Sequence, residues 1–317
     1  MKKFYIVTPC FNDFESLYKL LCDIDNELCE HPGYSLGIII VNDASNKENN
    51  FIKEKSDFLN LTEIVQLNLL KNVGHQRAIA TGLSYAEDTC DNFDGVIVMD
   101  SDGEDDYNDI FRMLDSLKDD KIIFAKRRRR SESIKFRFFY MLYKKVFSLL
   151  TGEKINGGNF SVIPKNTLKR VTALPEINTH YHASIIKSKL PVEFVICDRA
   201  KRYDGVSKMN FMSLILHGLK SVSVFSEIMC VRLTVFSIFM LLFSVFVSIV
   251  VLFSKFGLGT ATPGWSTTVM GVALIISLQF LLTAVILTFT SISKTQYTSV
   301  NKDDYKTLIM SIESKGQ

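Results

Sequence analysis

The sequence predicts an α/β domain built on a mostly parallel sheet, followed by a membrane hairpin. Three observations carry this. Apolar runs alternate with helical spacing through residue 125, one strand empties into a cluster of carboxylates, and two long uncharged stretches lie near the C-terminus.

Residues 4–9 read as the first strand, and Cys10-Phe11-Asn12-Asp13 as a turn. From Ser16 to about Cys29, Leu17, Leu20, Leu21 and Ile24 recur at helical spacing. Gly37 to Val41 is the second strand and ends in Asn42-Asp43-Ala44-Ser45. A polar helix follows, then a third strand from Glu63 to Leu67. Asn72-Val73-Gly74-His75-Gln76-Arg77-Ala78 opens a helix to about Ala86, before a strand over 95–99. Polar residues at the strand ends, Asn12, Asp43 and Asp100 among them, would line one crevice.

The fourth strand runs into Asp100, Asp102, Glu104, Asp105 and Asp106, five carboxylates within seven residues. Carboxylates spaced two apart on extended chain repel unless a cation joins them. A hard divalent ion carrying substrate phosphates would do so. The plainer alternative is an acidic turn solvated by water. An EF-hand is excluded: counting from Asp100, the glycine position holds Asp105 and the final glutamate position holds Phe111.

Hydrophobic residues make up 47% of the 317, and the excess sits toward the C-terminus. A net charge of +3 makes the placement of charge matter more than its sum. The six cysteines (10, 22, 29, 90, 197, 230) form no C-x-x-C pair and read as buried thiols of a reducing compartment. The apolar run at the N-terminus is too short for a signal peptide, which keeps the front of the protein in the cytoplasm.

Lys126-Arg127-Arg128-Arg129-Arg130 precedes a basic, aromatic-rich segment from Ile134 to Leu150. Three readings compete there: an anionic membrane face, nucleic acid, or a half-buried helix with a charged edge. The C-terminal stretches decide for the membrane. Leu233–Phe253 and Val269–Phe289 carry no charge and are each long enough to cross a bilayer. The loop between them has one lysine, Lys255, whereas Lys208, Lys220 and Arg232 precede the hairpin and Lys294, Lys302, Lys306 and Lys315 follow it. The positive-inside rule puts both termini in the cytoplasm. The expected boundaries are a catalytic domain over 1–226, a hairpin over 227–292 with helices at 233–253 and 269–289, and a cytoplasmic tail over 293–317.

Seven short motifs occur in order: Pro9-Cys10-Phe11-Asn12-Asp13, Asn42-Asp43-Ala44-Ser45, Asn72-Val73-Gly74-His75-Gln76, Asp100-Ser101-Asp102-Gly103-Glu104, Gly158-Asn159-Phe160, Arg202-Tyr203-Asp204-Gly205-Val206-Ser207-Lys208 and Gly264-Trp265. With them the chain resembles the polyisoprenyl-phosphate glycosyltransferases of glycosyltransferase family 2, in the bacterial branch with a two-helix anchor. The resemblance runs to about residue 295. Three positions depart from the family pattern: Asn42 and Asn159 stand where relatives carry Asp, and Glu104 stands where they carry Gln.

The resemblance implies a GT-A domain that transfers a sugar, with inversion, from a nucleotide sugar to polyprenyl phosphate at the bacterial inner membrane. UDP-glucose is the expected donor. Asp100, Asp102 and Glu104 would hold Mg²⁺ or Mn²⁺. Pro9, Asn12, Asp43, Asn72, Gly74, Gln76, Asp100 and Ser101 would line the nucleotide-sugar site. Asp102, Arg202, Lys208 and Arg127 would act in transfer, and Lys126, Arg127, Arg137 and Ser207 would meet the acceptor phosphate. The resemblance also implies a homo-oligomer, a tetramer, and no nucleic-acid partner. On the residues alone, Asp43 serves equally as a turn former and His75 as a cap or packing residue. Arg129 and Arg130 read as lipid-headgroup contacts. A processive synthase needs more membrane helices and a Gln-x-x-Arg-Trp motif that this chain lacks, its one Trp being Trp265. A non-catalytic membrane protein of the same fold is supported only by the substitutions at 42, 104 and 159.

Overall fold

The computed structural model describes residues 1–46, 58–118, 120–127, 134–154, 157–204, 211–257, 264–297 and 302–316. The polar helix expected after Ser45, the cluster Arg128–Arg130, and Gly205, Ser207 and Lys208 lie outside them, wholly or in large part. The described chain divides into two compact units.

The larger unit is an eight-stranded sheet in the order β7-β5-β6-β4-β1-β2-β3-β8. Strands β1 (Lys2–Cys10), β2 (Tyr34–Asn42), β3 (Glu63–Leu69) and β4 (Gly95–Val98) are the runs legible in the sequence. They pair in parallel, β1 between β2 and β4. The remaining strands are β5 (Ile122–Arg127), β6 (Ser161–Pro164), β7 (Val192–Cys197) and β8 (Ile309–Gly316). β6 is antiparallel to β4 and β5, and β8 is antiparallel to β3, so the sheet is mixed, with four of its seven pairings parallel.

Both faces of the sheet are covered, which explains the near-continuous apolar runs of its central strands. On one face Phe4 and Ile6 of β1 pack with Leu17, Leu20 and Ile24 of α1 (Phe14–Leu28) and with Phe111 and Leu114 of α3 (Asn108–Asp115). On the other, Tyr5 and Val7 pack with Ile79 and Leu83 of α2 (His75–Thr89). This is strand alternation applied to a two-sided core. Helix α2 lies so close that a Cβ on Gly82 would stand 2.5 Å from Val7.

From β1 the chain winds to β2 and β3 on one side, then crosses to β4 on the other. The crevice beyond the carboxyl ends of β1 and β4 is thus a topological switch point, where open α/β sheets bind ligands.

Strand β8 comes from the segment expected to be a trailing tail. Before it, a 3₁₀ turn (Lys302–Leu308) places the Tyr305 hydroxyl 2.7 Å from Asp88 and Lys306 2.8 Å from the same carboxylate. Within β8, Ser311 and Glu313 accept hydrogen bonds from the Asn68 amide, each at 3.1 Å. Met310 and Ile312 face outward, 64% and 51% exposed.

The second unit holds the last turns of α4 (Ile134–Thr151) and the helices α8 (Ser226–Phe256) and α9 (Trp265–Tyr297). Cys230, Ser237, Ser244 and Val251, seven apart, form the buried seam of α8. Ser237 donates to the Phe280 carbonyl at 3.0 Å and Ser277 to the Met240 carbonyl at 3.3 Å, so the helices run antiparallel on small residues. At about 1.5 Å per residue, both exceed the roughly 30 Å of a bilayer core. Their windows of highest hydropathy average 2.9 and 2.5, and most of their large apolar side chains are uncovered within the chain. The two helices thus form an antiparallel hairpin, each long and apolar enough to cross a membrane.

Candidate active site

The site grows from the ends of β1, β2 and β4. Past β1 the backbone turns at Asn12, φ 53°, a left-handed conformation that Asn tolerates better than most residues. Asn12 N–H donates to Ser45 Oγ at 2.9 Å, and Asn12 Oδ1 accepts from Asn46 N–H at 2.9 Å. The Asn42 side chain accepts from Ser45 N–H at 3.0 Å and donates to Asn68 at 2.8 Å. A mesh of neutral amides therefore ties the first two strand ends together. Asp43 is buried and receives the N–H groups of Val73 and Gly74 at 2.7 and 2.9 Å, which fixes the loop leading into α2. Burial raises its pKa against the lowering effect of those two bonds and of His75.

The carboxylates after β4 converge on cations. His75 Nε2 lies 3.1 Å from Asp100, Arg127 reaches Asp105 at 3.0 Å and Glu104 at 3.9 Å, Arg202 pairs with Asp102, and Arg199 pairs with Glu104. Burial works to raise Asp100, but the charge and hydrogen bond of His75, with Arg127 and Arg202, hold it below the usual carboxylate range. Burial and the charge of Asp100 raise Asp102 and push Asp105 up to about 7. Burial opposes protonation of His75, yet Asp100 raises it on balance. Negative charge is crowded beyond what the local cations relieve.

The segment Arg199–Tyr203 lies along this acidic loop. Ala200 N–H donates to the Glu104 carbonyl at 3.1 Å and Tyr203 N–H to the Asp102 carbonyl at 3.2 Å. The Tyr203 ring covers Gly103, φ 79°, where a Cβ would stand 2.2 Å from the ring, and its hydroxyl bonds Asp23. Gly103→Ala is therefore expected to push Tyr203 and Arg202 off the loop, lowering stability by about 1–3 kcal/mol. A thermal midpoint equal to wild type would refute this.

A metal fits here only in partnership with substrate. Among the described residues no three His, Cys, Asp or Glu side chains form a ready-made cage. Oδ1 of Asp100, however, is sealed from solvent without a well-directed hydrogen bond. One or two carboxylates plus diphosphate oxygens is how Mg²⁺ is commonly held. Asp100 and Asp102 suit that arrangement, whereas Glu104, expected as a third ligand, is engaged by two arginines.

Of the other expected residues, Pro9 is buried in β1, Ser101 is buried in the loop, Asn72 is exposed, and Gly74 sits at φ 86° before α2. Gln76 turns inward, accepting from Tyr181 N–H at 2.7 Å and donating to Asn159 at 3.3 Å. Lys126 is exposed beside Arg127. Ser207, Lys208 and the side chain of Arg137 lie outside the described residues.

Three features escaped the sequence reading. Arg199 joins the acidic loop from 95 residues away. His180, Tyr181 and His182 open α6 (Tyr181–Lys187), signalled only by two of five histidines falling within three residues. Helix α7 (Phe211–Ser223) exposes Met212, Leu216 and Leu219, while His217 meets the His180 ring at 4.6 Å. It also approaches α4, Gly218 leaving room for the ring of Tyr143.

A bactoprenol glucosyl transferase of Shigella phage SfV is 27% identical over 238 residues, covering 70% of this chain and 73% of its own. An uncharacterized glycosyltransferase of Synechocystis sp. is 26% identical over 287 residues, covering 89% and 87%. Among solved structures, a mannosyltransferase from Pyrobaculum calidifontis in complex with GDP-Man and Mn²⁺ aligns over 93% of this chain and 87% of its own, at 13% identity and a TM-score of 0.40. Residues 5–177, just over half the chain and running from within β1 through α5 (Lys165–Thr172), match the family described as Glycosyl transferase family 2, and the chain belongs to that family.

Proposed function

We propose that this glycosyltransferase moves a sugar, with inversion, from a nucleotide diphosphate sugar to a polyprenyl phosphate at the cytoplasmic face of a bacterial membrane. The observation that carries the reading is the acidic loop at the β1/β4 switch point, banked by Arg127, Arg199 and Arg202, in a chain that also carries an apolar helical hairpin before its last strand. The name of the phage relative supports bactoprenol as acceptor and glucose as the sugar.

Asp100 and Asp102 would hold a divalent metal together with the donor diphosphate. A divalent ion there neutralises the charge that develops on the leaving nucleoside diphosphate. Arg202, paired with Asp102, would offer its guanidinium to the same diphosphate. The acceptor is a phosphate monoester with a second pKa of about 6, already mostly dianionic at neutral pH, so no strong general base is required. Asn159 is compatible with turnover for that reason. Lys126 and Arg127, with the basic stretch up to Arg137, supply positive charge for the acceptor. The exposed apolar side chains of α7 and Met141 of α4 suit an interfacial position.

The test is transfer in membranes expressing the protein. UDP-glucose, UDP-galactose, UDP-N-acetylglucosamine and GDP-mannose are each offered with undecaprenyl phosphate, with Mg²⁺, Mn²⁺ or EDTA. One donor is expected to give a lipid-linked monosaccharide, suppressed by EDTA. Long products would point to a processive synthase, and no product from a folded, inserted protein would remove the reading. Reporters fused to either terminus are expected on the cytoplasmic side; an external terminus would reverse the orientation.

A further inference from the structure

The triplet at the start of α6 grips the site from two directions. Tyr181 N–H donates to Gln76 Oε1 at 2.7 Å, and a backbone N–H can only donate. Gln76 must therefore turn its amino group toward Asn159, meeting Oδ1 at 3.3 Å. That orientation presents Asn159 Nδ2 to His75 Nε2, 3.0 Å away and next to Asp100. The polarity of the Asn159 amide is thus fixed, one group at a time, by the backbone of α6.

The second grip is His182. Its Nδ1 lies 3.0 Å from the Gly158 carbonyl, which can only accept, so Nδ1 carries the hydrogen. The ring is 1% exposed, stands edge-on to Phe124 at 4.4 Å, and fills the space beside Gly157, where a Cβ would lie 2.7 Å from Cε1. Burial pushes its pKa down to about 4, so the ring is neutral at physiological pH. Nε2 is left buried with no hydrogen-bond partner. An imidazole that strands one nitrogen is a poor way to fill a core, and a phenyl ring would pack there without that cost. What phenyl lacks is the hydrogen that holds the peptide preceding Asn159.

We propose that His182 is a positioning residue: through the Gly158 carbonyl it aims the Asn159 amide at the sugar of the donor. This rests on the glycosyltransferase reading above. Whichever tautomer His75 takes, Asn159 keeps at least one N–H and a carbonyl lone pair beyond its bond from Gln76, a donor and an acceptor side by side that match the hydroxyls of a neutral hexose. An Asp in this place would offer acceptors only. His182 touches no substrate and acts only by setting where that amide points.

The experiment compares His182→Phe, His182→Asn, His182→Gln, Asn159→Ala and the Phe/Ala double variant in the full-length protein. Measured are kcat/KM for the donor, KM for undecaprenyl phosphate, and thermal midpoints. His182→Phe and Asn159→Ala are each expected to lower donor kcat/KM about tenfold, the worth of one lost hydrogen bond to the transition state. The double variant should be no worse than either single one, and acceptor KM should hold. His182→Asn, with its amide nitrogen near the Nδ1 position, should recover most of the loss, whereas His182→Gln, which mimics Nε2, should not. If His182→Phe fails to fold, the Asn and Gln pair carries the same contrast. Multiplying losses in the double variant, equal behaviour of Asn and Gln, or a fully active His182→Phe overturns the proposal while leaving transfer intact. A wild-type protein that transfers no sugar brings down the functional reading and this inference together.

Discussion

Asp102→Asn lowers sugar transfer by about three orders of magnitude, on the measure of what one preorganised charge contributes at a developing anion. The side chain has the same shape but loses the charge that two partners need. A metal at the proposed site would lose a ligand, and Arg202 loses the carboxylate that it pairs with. Glu104 N–H, which donates to Asp102 Oδ1 at 2.9 Å, can still donate to the amide oxygen, so the loop itself survives. The predicted signature is a large fall in kcat with a raised metal requirement, while the thermal midpoint changes by only a few degrees. Initial rates at saturating donor over a Mn²⁺ titration measure both. A rate within tenfold of wild type would show that Asp102 carries no charge to the reaction.

The acidic loop and the parallel core were legible for the same reason. A strand buried on both faces cannot carry a run of charged side chains, so the cluster of carboxylates after Met99 must lie beyond its end. The hairpin was legible from length and lack of charge alone. The pairing of Arg199 with Glu104 was not, because nothing local in either segment specifies a contact across 95 residues. Gln76 was assigned to the donor from its motif, yet its burial and its bond to Tyr181 N–H depend on α6, which the sequence reading never placed. Strand β8 was hidden by inverted polarity: its side toward the protein carries Ser311 and Glu313, and its outer side carries Met310 and Ile312. A search for apolar-inward alternation passes over such a strand.

Removal of residues 309–317 is expected to be the most damaging change outside the acidic loop. Deleting β8 leaves the edge of β3 unpaired along Glu63–Leu69, including the buried segment around Val65 and Leu67. An exposed apolar edge of that kind invites pairing between copies. A loss of about 3 kcal/mol, a few net backbone hydrogen bonds at about 1 kcal/mol each, would lower the thermal midpoint by roughly 6–12 °C in a domain of this size. The effect also reaches the site. Asn68 donates to Ser311 and Glu313 on one side and accepts from Asn42 on the other, and Asn42 in turn holds Ser45 beside Asn12. The milder variant Ser311→Ala/Glu313→Ala keeps the strand but frees the Asn68 amide. It is expected to raise donor KM several-fold with a small change in midpoint. Midpoints and size-exclusion profiles of the solubilised protein, read with donor KM, separate the two effects. An unchanged midpoint for the truncation would mean that β8 adds nothing to the sheet. An unchanged donor KM for the double variant would mean that the Asn68–Asn42 link ends before the nucleotide.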